Sequence, residues 1–106
     1  MKTVIPGVGP EFMDREGLRA EPAAWEDGLR ADTGRGSFEW WYFDAHRDDG
    51  SAAVIVYNTK PLLQRKDPLT PMMMLTITLP DGQRLTGVDA PGASQFEAAT
   101  DRCSVQ

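Results

Sequence analysis

Cysteine occurs only once in this chain, at Cys103, and that excludes an intrachain disulfide. No recognisable base accompanies it in sequence, so it reads as an ordinary thiol in a reducing compartment rather than a nucleophile. No stretch approaches the ~20 apolar residues that a membrane helix needs. The opening MKTVIPGVGP is broken by Pro6 and Gly7 short of signal-peptide length, which makes the cytoplasm the expected location. Basic residues are in deficit, with 11 Lys and Arg against 16 Asp and Glu and a net charge of −5. The deficit lies in residues 1–53, which carry six basic and eleven acidic groups, whereas residues 54–106 carry five of each. An acidic chain argues against nucleic acid as a partner, because phosphate binding needs a concentrated basic surface. The small basic patch of Lys60, Arg65 and Lys66 does not reverse this. There is no nucleophile elbow, paired-cysteine site or phosphate loop; GVGPEF has neither the glycine spacing nor the preceding strand of a dinucleotide fingerprint.

What is present is a dense aromatic run, SFEWWYFDAHRDDGSAAVIVYNTK, over residues 37–60. Two β-rich stretches are joined by Arg47-Asp48-Asp49-Gly50, and Asp-Gly between apolar runs predicts a hairpin. The two-residue period of a strand puts Phe38, Trp40, Tyr42 and Asp44 on one side. Glu39, Trp41, Phe43 and Ala45 fall on the other. Both sides are aromatic. One is expected to fill a core, and the other to line a cavity or pack on another part of the protein.

At 106 residues the chain has length for one small domain at most, and 41% apolar with 25% charged residues marks it as globular rather than disordered. Residues 1–32 read as an N-terminal arm. The Gly/Pro-rich residues 1–13 are expected to form no regular element, and a short helix is expected over Ala23–Leu29, with Pro22 at its first turn and Gly28 limiting its length. Residues 33–106 read as β. The second strand runs about Ala52–Thr59, the third is Met72–Leu79, and a short fourth lies near Arg84–Thr86 after the Pro80-Asp81-Gly82 turn. A proline-marked connection spans 61–71, Gly87–Ser94 reads as loop, and Gln95–Ala99 and Cys103–Val105 are candidates for further short strands. The expected fold is therefore all-β, with five or six short antiparallel strands. A ligand-holding closed barrel takes about eight, so the expected barrel is incomplete. The chain is then part of a larger protein or completes its sheet with another chain.

The run Glu39-Trp40-Trp41-Tyr42-Phe43-Asp44, the Asp-Asp-Gly turn and apolar strand after it, and TKPLL downstream resemble the lipocalin-like family of hydroxyneurosporene synthase, or carotenoid 1,2-hydratase. That family takes in bacterial attachment-protein relatives and decalin-forming Diels–Alderases. The resemblance covers roughly residues 33–80 of this chain. Its members are considerably longer and look like lipocalin-like barrels in tandem, so it implies that residues 33–106 form the first part of an N-terminal barrel, with the rest supplied by a second chain or a downstream domain. It also implies a hydrophobic polyene as ligand and no cofactor. Hydration of a double bond needs a proton donor, a positioned water and a π face beside the cation. Pericyclic cyclisation needs a folded polyene and a hydrogen-bond donor at a carbonyl. The alternative is a non-catalytic binding protein for an apolar small molecule.

The residues offer candidates for each role. Glu39 and Asp44 are the candidate acids, although acids in such positions more often bind backbone N–H groups or an arginine. Trp40, Trp41, Tyr42, Tyr57 and Met74 are candidate lining for an apolar ligand, set against plain core packing. Asn58 is a candidate hydrogen-bond donor to a ligand carbonyl, or a turn cap. Lys60, before Pro61, either enters a pocket or is a solvated strand end. Asp44, His46, Asp48 and Asp49 invite a metal, but one histidine among turn acids is ordinarily solvated, and no metal site is assigned.

Overall fold

A computed structural model describes residues 9–64 and 66–106. The protein is mostly β: one short helix, then four antiparallel strands in an open sheet. Helix α1 spans Pro10–Glu16. This corrects the expectation of an irregular arm through residue 13, of which residues 1–8 lie outside the described residues. Pro10 occupies the first turn, where its missing N–H has no intrahelical partner to lose. Gly17 ends the helix at φ 71°, a left-handed conformation that glycine adopts without steric cost, and the Leu18 N–H then closes onto the Met13 carbonyl at 2.8 Å. The helix expected over Ala23–Leu29 is a single 3-10 turn, Ala24–Asp27. It stops because residue 28 is pressed against another segment: a Cβ on Gly28 would lie 2.7 Å from the backbone carbon and oxygen of Thr100.

The strands are β1 (Trp40–His46), β2 (Ala52–Asn58), β3 (Met72–Thr78) and β4 (Arg84–Asp89), in sheet order β1-β2-β3-β4. The Asp-Gly turn forms as its sequence predicts. Gly50 donates to the Arg47 carbonyl, and the Asp49 carboxylate accepts from the Ser51 N–H and hydroxyl. These bonds, the Ser51 hydroxyl first, hold Asp49 below the ordinary carboxylate range. β4 continues through Asp89 where a loop was expected from Gly87. Its partners Met73–Leu75 extend the ladder, and glycine is tolerated on an edge strand. The fifth and sixth strands are not formed. In their place stand a 3-10 turn, Ala93–Gln95, and one bridge, Ala98 to Val105.

The register stacks equal parity across the sheet: Trp40 opposite Asn58 opposite Met72, and Tyr42 opposite Val56 opposite Met74. One face carries Trp40, Tyr42, Val56 and Met74; the other carries Trp41, Phe43, Ile55, Tyr57 and Leu75. Among the described residues the buried apolar side chains are Pro71, just before β3, and Trp41, at 7% exposure. Its indole N–H donates to the Asp27 carbonyl at 3.0 Å, and its ring lies 6.3 Å from that of Phe96. The Trp41 face is thus covered at one end by residues 24–31 and 96–105. Leu29 N–H to the Ala99 carbonyl, at 2.7 Å, ties these two segments together. Elsewhere both faces are half-exposed, and no closed barrel forms among the described residues.

Candidate ligand-binding groove

On the Trp40 face, at the end where β1 begins and β2 ends, Phe38, Trp40, Val56, Asn58, Met72 and Met74 form a groove of about 560 Å³. Alternation on three neighbouring strands makes it apolar, since all six residues share one parity. The Phe38 and Trp40 rings lie 6.5 Å apart, and Trp40 remains 58% exposed. One rim is the connection after β2: Pro61, then the 3-10 turn Leu62–Gln64. Leu63 is 97% exposed there, an unusual setting for a leucine beside an apolar groove.

Three of the residues singled out in the sequence meet in this groove: Trp40, Asn58 and Met74. Tyr42 is adjacent on the same face and exposed. Asp44 shares the face but lies four residues along β1 from Trp40, about 13 Å at strand rise. There it pairs with His46 at 2.9 Å, exposed to solvent. The remaining candidates sit elsewhere. Trp41 fills the covered end of the opposite face, and Tyr57 on that face makes an edge-on contact with Phe43 at 6.2 Å. Glu39 also belongs to the Trp41 face. Its carboxylate accepts from the Arg30 N–H at 3.0 and 3.1 Å and from the Ala31 N–H at 2.7 Å, so it holds the covering loop down. To act as an acid it would have to release both donors.

Lys60 is fully buried rather than solvated, and its ammonium donates to the Gly34 carbonyl. The same loop is braced by Asp32, which accepts from the Ser37 hydroxyl at 2.9 Å and the Gly34 N–H at 2.7 Å. Those two bonds, the Ser37 hydroxyl first, together with the Lys60 charge, outweigh partial desolvation and lower the Asp32 pKa. Thr59, also buried, accepts from the Glu39 N–H at 3.0 Å. Among the described residues Thr59 and Lys60, just past the end of β2, are the most fully buried side chains, and Asn58 before them lines the groove.

The sequence reading missed Phe38, Val56 and the Leu62–Leu63 rim. The first two carried a usable signal, because they have the same strand parity as Trp40, Asn58 and Met74. Leu62 and Leu63 carried a weaker one, two leucines inside a proline-rich connection. A second groove of about 530 Å³ runs past Tyr57, Asn58, Met72 and Phe96, and a smaller one beside Trp41 reaches Glu26, Asp27 and Cys103. Among the described residues no group of three or more His, Cys, Asp or Glu is placed to hold a metal ion. No helix among them is long and apolar enough to cross a membrane. No protein family, curated protein or solved structure matches the chain.

Proposed function

We propose that the groove on the Trp40 face binds a hydrophobic, polyene-like small molecule, and that the chain is the N-terminal portion of a lipocalin-like barrel related to the hydroxyneurosporene synthase family. The observation that carries the reading is the clustering of exposed Trp40, Met74, Leu62 and Leu63 around one apolar groove, while the buried Trp41 lies on the other face. A broad indole face and flexible thioethers suit a flat conjugated chain. The outer edges of β1 and β4 are without strand partners among the described residues. Such edges favour completion of the sheet by a second chain or a further segment. Binding is the reading the groove supports best, since neither candidate acid, Glu39 nor Asp44, lines it. Catalysis by hydration or cyclisation is the second reading. It is favoured by the Glu39–Asp44 motif and requires a proton or hydrogen-bond donor from elsewhere in the completed barrel.

The test is a fluorescence titration of the chain with diphenylhexatriene, a neutral conjugated hydrocarbon. Saturable binding is expected, weakened about tenfold by Trp40→Ala. Trp25→Ala, distant in sequence and outside the groove, should leave it unchanged. Equal affinity in the wild type and Trp40→Ala would reject the groove as the site.

A further inference from the structure

Asn58 is out of place where it stands. It ends a strand whose preceding residues on the same face are Val56 and Val54, it is only 7% exposed, and asparagine is a poor strand former. Strand parity puts its side chain on the Trp40 side, although the residue also borders the second groove. Among the described residues nothing hydrogen-bonds its carboxamide, while every other buried polar side chain at this end of the sheet is engaged: Thr59 with Glu39, and Lys60 with Gly34. Among the described residues no buried side-chain nitrogen or oxygen lacks a partner, so this carboxamide, with no protein partner, still meets solvent. A ligand that covers it must replace that solvent or leave a buried amide unpaired, which is costly.

Resting on the apolar-ligand reading above, we propose that the Asn58 carboxamide is the polar anchor of the groove. Its ligand is then an elongated hydrocarbon bearing one neutral oxygen, a carbonyl or a hydroxyl. The carboxamide both donates and accepts, so it satisfies either group. A pure hydrocarbon seated over it would seal it from solvent unpaired. Among the described residues every one that lines the groove is neutral, so an ionised carboxylate there would be desolvated without a counter-charge from them. Lys60, two residues past the end of β2, is fully buried and donates to the Gly34 carbonyl.

The experiment titrates the full chain with diphenylhexatriene and three derivatives that differ only in one para substituent: hydroxymethyl, formyl and carboxylate. The hydroxymethyl and formyl probes are expected to bind up to about tenfold tighter than the parent, the increment of one hydrogen bond. The carboxylate should bind more weakly than either. Asn58→Leu is expected to bring both neutral derivatives down to the affinity of the parent while the parent binds at least as well as before. Asn58→Ser, which keeps a donor and an acceptor, should retain part of the preference and guards against a folding defect in the leucine variant. Equal affinity of parent and neutral derivatives in the wild type, or a preference that survives Asn58→Leu, would overturn the anchor while leaving the groove intact. So would a carboxylate that binds as tightly as the aldehyde. Failure of all four probes to saturate would overturn the groove reading itself, and the anchor with it.

Discussion

Gly28→Ala isolates the contact on which the covered end of the sheet depends. Gly28 has φ −80° and ψ 175°, a conformation any residue adopts, so the backbone gives no reason for glycine. By itself, alanine would stabilise by about 0.4–1 kcal/mol through a less mobile unfolded chain. The opposing effect is steric. The new methyl would lie 2.7 Å from the Thr100 carbonyl carbon and oxygen and 3.1 Å from the Ala99 oxygen, all backbone atoms that cannot swing aside. Overpacking of this kind costs about 1–3 kcal/mol, so the clash decides the sign and a net loss of about 1–2 kcal/mol is expected. Gly92→Ala is the matched control. Its φ is −65° and its would-be methyl meets nothing nearer than 3.9 Å, so it should be neutral or slightly stabilising. Urea unfolding followed by circular dichroism gives both values. A Gly28→Ala variant as stable as the Gly92→Ala control would refute the seating of residues 24–31 on residues 99–100.

Glu39→Gln should lower stability by about 1–2 kcal/mol, because a charged acceptor of two backbone N–H groups becomes a neutral amide with one oxygen. Faster hydrogen exchange at the Arg30 and Ala31 amides would accompany the loss, and unchanged exchange would rule out the clamp. Asp32 and Asp49 both have lowered pKa values in the folded chain, so the stability they contribute is complete above the ordinary aspartate value and is lost as the pH falls through their lower folded values. Ser37→Ala and Ser51→Ala should each move the neighbouring aspartate back up toward its ordinary value in a carboxyl NMR titration, and an unmoved titration would remove the hydroxyl as the cause.

The hairpin was legible because its signals are local. Asp-Gly sets the turn, and alternation from Phe38 to Asn58 assigns each side chain to a face. Alternation also marked β3 as a strand, while its pairing with β2, Leu75 opposite Ile55 and Met73 opposite Tyr57, came only with the fold. What stayed illegible depends on contacts between segments far apart in sequence. Nothing near Gly28 announces Thr100, so the turn at Ala24–Asp27 read as a helix. Backbone N–H binding was the commoner reading for Glu39 beside that of a candidate acid, but nothing near it names the Arg30 and Ala31 amides as the partners. Lys60 was ambiguous for the same reason, its partner Gly34 lying 26 residues upstream. In the groove, parity grouped Trp40, Asn58 and Met74, but only the folded connection reveals Leu62 and Leu63 as its rim. The α1 helix was hidden by composition: Gly9, Pro10 and Gly17 are breakers in number and caps in position.

Every strand in the sheet pairs with its neighbour in sequence, so the order of assembly is set by the lengths of the connections. β1 and β2 are joined by five residues and β3 and β4 by a similarly tight turn, whereas thirteen residues, 59–71, separate β2 from β3. Closing the longer segment costs roughly 0.8 kcal/mol more chain entropy than closing the shorter one. Two hairpins should therefore form first and dock second. The groove straddles that docking seam, with Trp40 and Asn58 on one hairpin and Met72 and Met74 on the other. The place proposed to receive a ligand is thus the last part of the sheet to close and the first to part, and a molecule lodged there would act as a rivet between the two hairpins.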